Sequence, residues 1–190
     1  MSSHHFVREE QEPALLIVDA ENISLSAIEP LLEWSPTIMV NYSIIDTVIS
    51  WGIKIDYIIC NNVKELSNYD IPPTTKVVVG SELYGKAQDL LNHCSNEALV
   101  VVGNFEKNHE LAINHMNDVK ISFYDGQYRY VYIKEEFRKW LLEEEKLKLY
   151  TDSDEYKTSG LVKESNMFRC QNTGVVSIRC DRPFWVRMSL

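Results

Sequence analysis

Long apolar runs are missing from this chain of 190 residues: the longest, Ala14 to Val18 and Ala98 to Val102, reach about five residues. A membrane-spanning helix needs ~20, and no basic-then-apolar leader opens the sequence, so the chain is read as cytoplasmic, with no membrane partner. Cysteine is sparse. Cys60, Cys94, Cys170 and Cys180 show no Cys-x-x-Cys spacing, and without an export signal they are expected to be reduced core residues. His109 and His115 fail the zinc-protease pattern His-Glu-x-x-His, because Ile113 stands where the second histidine belongs. No structural zinc is expected, and neither standard glycine-rich phosphate loop is present.

Positive charge is scarce in the first two thirds. Between Ala14 and Asp125 there are 15 acids and 6 Lys/Arg, whereas from Gly126 onward there are 10 acids and 12 bases. The net charge of −9 therefore sits in the first block. Such a surface repels phosphate backbones, so nucleic acid is not an expected partner. Hydrophobic residues at 45% and charged residues at 25% are ordinary for a globular protein.

Residues 1–13 are polar and end at Pro13, which predicts a flexible tail. Apolar β-branched runs then alternate with helical spacings. Strands are expected at Ala14–Asp19, Pro36–Asn41, Ile55–Cys60, Lys76–Val79, Ala98–Val102 and Val119–Tyr124, the middle ones buried. Helices are expected at Ser24–Trp34, Tyr42–Trp51 (closed by Gly52), Leu83–Cys94 and Asn108–Met116. Buried strands separated by helices predict a layered α/β/α domain with a mostly parallel sheet over residues 14–125. Asp125-Gly126 predicts a type I′ hairpin turn. Beyond it, Lys134–Lys148 has Phe137, Trp140, Leu141 and Leu147 at a spacing that suits a helix. Met167–Cys170, Val175–Cys180 and Phe184–Met188 alternate like antiparallel strands. A small β-rich domain is expected over 126–190.

In an open parallel sheet, ligands bind beyond the carboxyl ends of the strands. That edge carries Asp19, Glu21 and Asn22, then Asn41, Asn61 and Asn62, then Gly80-Ser81-Glu82, then Gly103-Asn104-Phe105-Glu106. Amides and isolated acids dominate, which describes a binding crevice with little catalytic equipment.

Trp51-Gly52-Ile53-Lys54-Ile55-Asp56-Tyr57-Ile58-Ile59 is similar to a strand entry of the thiamine pyrophosphokinases. Glu97 to Gly103 followed by Asn108-His109-Glu110-Leu111-Ala112 resembles a second motif of that family. Ile121 to Gly126 with Val131-Tyr132-Ile133 resembles a third. The C-terminal run is the nearest: Glu164-Ser165-Asn166-Met167-Phe168, Thr173 to Ile178, and Asp181-Arg182-Pro183-Phe184-Trp185-Val186-Arg187-Met188. The likeness is colinear over roughly residues 14 to 190. It implies a diphosphate transfer from ATP to thiamine with Mg²⁺, and a homodimer in which each β-domain helps build the other subunit's site. It places the nucleotide at Asn61, Asn62, Gly103 and Glu106, thiamine at Ser165 and Asn166, and catalysis near Glu82, Lys86 and His109.

The departures bear on activity. The family's Asp-Phe-Asp-Ser falls on Asn61-Asn62-Val63-Lys64, its Thr-Asp-x-x-Lys on Glu82 to Lys86, and its Gly-Arg-x-Asp-His on Phe105 to His109, which keeps only the histidine. The thiamine-binding domain also looks shortened between Leu161 and Ser165, with one or two strands missing or replaced by 134–148. Neutral amides stand where a hard cation wants carboxylates, so weakened or lost catalysis is expected. Asp19, Asp46 and Glu82 are the acids left to hold a metal, against a plain reading as solvated loop residues. Ser165, Asn166 and His109 likewise admit a capping role. A non-catalytic relative that keeps the crevice for a ligand or a regulatory role is one alternative. Another is a metal-dependent ribonuclease of the NYN/PIN-like kind, suggested by Asp19-Ala20-Glu21-Asn22 with Asp46 and Glu82.

Overall fold

The computed structural model describes residues 13–21, 23–94, 96–116 and 119–189. The tail expected at 1–13 lies almost wholly outside them, as does Asn22. β1 (Ala14–Ile17) is buried at all four positions, as a strand covered on both faces must be. It pairs in parallel with β2 (Ile38–Asn41) on one side and β5 (Ala98–Val102) on the other. β3 (Tyr57–Cys60) and β4 (Lys76–Val79) continue beyond β2, and β6 (Lys120–Tyr124) continues beyond β5. The order is β6-β5-β1-β2-β3-β4, all parallel.

Alternation along each strand divides the apolar residues between two layers. Leu15, Ile17, Ile38, Val40, Ile58, Cys60, Val100 and Val102 join one core with Ile28 of α1 (Leu25–Leu32) and with Ile45 and Val48 of α2 (Ile45–Ser50). Leu16, Met39, Ile59, Leu99, Val101 and Phe123 are buried on the other face. There α3 (Leu83–Cys94) meets β3 and α4 (Phe105–His115) meets β6, burying Tyr84, Ala87, Leu91, Phe105 and Ala112. Each such side chain contributes ~1.5–3 kcal/mol by leaving water. This is the expected α/β/α layering.

The chain divides into two compact units, one ending at Gly126 and one starting at Gln127. In the second unit, β7 (Tyr128–Ile133), β9 (Lys146–Tyr150), β11 (Leu161–Glu164), β12 (Met167–Cys170) and β14 (Phe184–Ser189) form an antiparallel array in the order β11-β12-β9-β14-β7. β8 (Glu136–Leu141), β10 (Tyr156–Ser159) and β13 (Gly174–Cys180) form a three-stranded sheet in the order β10-β13-β8. Their inward residues, among them Phe137, Leu141, Leu147, Phe168, Ile178 and Val186, make one core.

Several expectations need correction. The helix suggested at 134–148 is two strands, β8 and β9. Trp140 supplies the helical period in the sequence, but it is 58% exposed, and in β8 only Phe137 and Leu141 are buried. β4 is an outer strand with Val77 and Val79 exposed, not a buried one. The turn at Asp125-Gly126 is not type I′, which needs positive φ at both residues; only Gly126 has it, at 92°. α1 stops at Leu32 because Ser35, at φ 53°, returns its N–H to the Leu32 carbonyl and Pro36 follows. α2 is preceded by a 3-10 turn over Tyr42–Ile44. α4 begins three residues early because Asn104 caps it.

Candidate functional site

The strand order reverses between β1 and β5. From β1 the chain proceeds outward through β2, β3 and β4, whereas β5 and β6 lie on its other side. In parallel sheets this is where loops diverge and leave a crevice at the carboxyl ends. Asp19 and Gly103 stand at this reversal, where the two loops lie close together. Val18 and Asp19 both donate their N–H to the Val102 carbonyl, at 2.9 and 3.4 Å. Gly103 sits at φ +154°, where a Cβ would lie 2.6 Å from Val18 Cγ2 and 3.2 Å from the Asp19 backbone nitrogen. Only glycine lets the two loops approach this closely.

Asn104 follows as the N-cap of α4, its Oδ1 accepting from the Lys107 N–H at 3.1 Å. Asn108 donates to the Asn104 carbonyl at 2.8 Å and accepts from the Tyr84 hydroxyl at 3.1 Å, which ties α4 to α3. Burial pushes the Tyr84 phenol well above its ordinary range, so it stays protonated. His109 stacks on Phe105 with ring centres 4.5 Å apart, its Nδ1 3.0 Å from the Phe105 carbonyl. Glu106 is exposed in the first turn of α4. A carboxylate there suits the helix end but opposes an incoming phosphate. Glu21 pairs with Lys107 at 3.4 Å on the exposed surface.

The remaining crevice candidates are held in local structure. Asp19 accepts from the Glu21 N–H at 2.8 Å. Asp46, in the first turn of α2, accepts from the Tyr69 hydroxyl at 3.0 Å, and that hydrogen bond raises the tyrosine's pKa. Asn62 caps a 3-10 turn over Val63–Leu66 in a reciprocal capping box. Its Oδ1 accepts from Lys64 N–H, while Glu65 Oε2 accepts from the Asn61 and Asn62 N–H groups. Glu82 stands 3.5 Å from His115 Nε2. Lys86 pairs with Asp89 at 3.1 Å, and its stem crosses Gly80.

These acids do not converge. Three strand spacings separate β1 from β4, about 14 Å, so Asp19 and Glu82 cannot grip one ion whose ligands lie about 2 Å away. Among the described residues no group of three or more His, Cys, Asp and Glu is placed to hold a metal. The Mg²⁺ that the resemblance implies does not fit this donor set.

Ser165 and Asn166 form the two-residue link between β11 and β12, where Glu164 faces Met167. Ser165 takes φ +54°, an uncommon backbone for a residue with a Cβ. Beside it Arg169 binds Glu164 through Nε and Glu144 through a terminal nitrogen at 2.6 Å, holding the Glu164 carboxyl below its ordinary pKa.

Three features escaped sequence reasoning: the Tyr84–Asn108 tie, the Tyr69–Asp46 bond and the Glu65 capping box. The last had a legible signal, Asn62-x-x-Glu65, which has capping-box spacing.

Neither a protein-family model nor a curated relative matches the sequence. Solved structures do match its fold. Thiamine pyrophosphokinase from Bacillus subtilis aligns at TM-score 0.67 and 12% identity, over 93% of this chain and 99% of that one. The enzyme from Geobacillus thermodenitrificans gives 0.68 and 9%, over 93% and 97%. Thiamin pyrophosphokinase from Candida albicans gives 0.69 and 12%, over 97% and 91%. The chain has the fold of the thiamine pyrophosphokinases.

Proposed function

We propose that this chain is a thiamine pyrophosphokinase-like protein in which diphosphoryl transfer is weakened or lost, while the crevice between the β1 and β5 loops is kept for a ligand. The observation behind this reading is the dispersal of the acids: Asp19, Asp46 and Glu82 follow different strands, and each is engaged by a neighbour. Diphosphoryl transfer rests on positioning and on stabilising charge. Losing one electrostatic stabiliser costs ~10²–10³ in rate, so losing several together removes practical turnover. Gly103 and the capped start of α4 need no metal, which favours retained binding over retained chemistry.

The test is AMP release from ATP with thiamine and Mg²⁺, run beside a thermal-shift panel of thiamine, thiamine diphosphate, ATP and AMP. The expected result is no thiamine-dependent AMP, with at least one ligand raising the melting temperature. Thiamine-dependent AMP release abolished by Glu82→Gln would overturn the loss and identify a working kinase. No shift with any of the four would overturn retained binding. Mn²⁺-dependent RNA cleavage abolished by Asp19→Asn would replace this reading with the ribonuclease. The homodimer belongs to the same proposal and is read by sedimentation.

A further inference from the structure

At the opposite, amino-terminal edge of the parallel sheet, β2, β3 and β4 begin around an open cleft of about 720 Å³, within the usual range for small-molecule sites. Ile53, Lys54, Asp56 and Tyr57 of its lining belong to the stretch from Trp51 to Ile59 that resembles a family strand entry, but neither the crevice residues nor the thiamine candidates line it. Trp34 stands on its rim, 62% exposed and the most exposed of the large hydrophobic residues described. It sits in the bend made by Ser35, at φ +53°, and Pro36. That bend is the left-handed end of α1, and the exposed indole it presents is a ready stacking surface.

The charges around the cleft run against those of the surrounding unit. Lys54 and Lys76 both line it and are two of the six Lys/Arg between Ala14 and Asp125, where acids number 15. The one lining carboxylate, Asp56, is committed twice: to Lys54 Nζ at 2.6 Å and to the Ile38 N–H at 3.0 Å. Lys76 forms no ion pair with any described residue, and its Nζ lies 5.5 Å from the centre of the Tyr57 ring. The Tyr57 hydroxyl and Cys94 Sγ are hydrogen-bonded at 3.6 Å, and with that bond as the main cause the tyrosine's pKa is raised to about 12. The wall is therefore a neutral aromatic surface flanked by Lys76 and by Lys54, whose ammonium is shared with Asp56, with no uncommitted acid.

We propose that this cleft binds a planar aromatic anion, its ring against Trp34 and its acidic group held by Lys54 and Lys76. Because the site lies at the other end of the strands, its failure and the failure of the thiamine-related reading are independent.

The test is calorimetric titration of the full chain with 2-naphthoate and with phenyl phosphate, using cyclohexanecarboxylate as a non-planar control. At least one planar probe should bind saturably and weaken with added salt, and the control should bind at least about tenfold more weakly. Trp34→Ala, Lys54→Gln and Lys76→Gln should each raise the dissociation constant several-fold to about tenfold, whereas Trp34→Phe should stay within about threefold. Lys120→Gln, exposed at the start of β6, should change nothing. Melting curves matching the parent chain verify that each variant is folded. Binding of 2-naphthoate alone assigns an aromatic carboxylate, and binding of phenyl phosphate alone assigns an aromatic phosphate ester. Lack of binding by both below about 10 mM overturns the proposal. So does binding that survives Trp34→Ala and Lys76→Gln unchanged.

Discussion

Replacing Gly103 by alanine tests whether the two loops at the strand-order reversal are as close as described. A Cβ would stand 2.6 Å from Val18 Cγ2 and 3.2 Å from both Asp19 Cβ and the Asp19 nitrogen, on a backbone at φ +154°. One of these neighbours is backbone hydrogen-bonded to Val102, so it cannot simply rotate away. Overpacking of a tight site costs ~1–3 kcal/mol, and a non-glycine residue in this φ region adds ~1–3 kcal/mol. The expected loss is ~2–6 kcal/mol, a large part of the ~5–15 kcal/mol that holds a domain folded. Gly85→Ala is the matched control. In α3 its Cβ would meet Glu82 Cβ at an ordinary 3.5 Å, and removing a helical glycine gains ~0.5–1 kcal/mol. Urea unfolding followed by circular dichroism compares the two, with midpoints read at unchanged slope. Opposite signs are expected, and Gly103→Ala should melt roughly 5–15 °C lower. A Gly103→Ala variant within ~0.5 kcal/mol of the parent would refute the close approach of the two loops.

Asn62→Ala should cost ~0.5–2 kcal/mol through the lost cap, with ATP affinity unchanged by calorimetry, because the side chain is occupied by the Lys64 N–H; a fall in affinity at constant stability would assign Asn62 to the nucleotide instead. Ser165→Gly should raise stability by up to ~1 kcal/mol, since glycine adopts φ +54° without penalty; a loss in denaturant midpoint would mean that the hydroxyl contributes more than the strain costs. Glu164 has a folded-state pKa lowered chiefly by its hydrogen bond to Arg169. Its contribution is therefore present above the ordinary carboxylate pKa of ~4.3 and disappears as the pH falls through the lower folded value. Arg169→Gln should flatten that acid limb of a stability-versus-pH curve, and an unchanged limb would count against the ion pair.

The layered sheet was readable because its strands are apolar on both faces: Ala14–Ile17 and Ala98–Val102 have no other stable use. The second unit was legible where alternation was clean, as in Val175 to Cys180, and misread where an exposed Trp140 imitated a buried helical position. β4 looked buried because Lys76–Val79 is as apolar as its neighbours, and nothing local in a sequence marks a strand as outermost. At the crevice the residue types were visible but their obligations were not. Asp46 could not be matched to Tyr69, 23 positions away, nor Tyr84 to Asn108, 24 positions away, since such partners are set by packing. The cleft at the other strand edge was visible only in part, since Lys54, Asp56 and Tyr57 lie in a family-like stretch but Trp34 and Lys76 do not. Trp34 and Lys54 lie in two separate connections and Lys76 begins β4, so only the folded sheet assembles them.

The placement of β1 between β2 and β5 also constrains how the protein is made on a ribosome. One neighbour of β1 is complete by Asn41, but the other is not synthesised until Ala98–Val102. A nascent chain released or stalled before that point carries an apolar strand with one flank unpaired, a ready template for pairing with a second nascent chain. Closure of the first unit therefore waits on a contact spanning more than eighty residues, the kind of long-range pairing that slows folding.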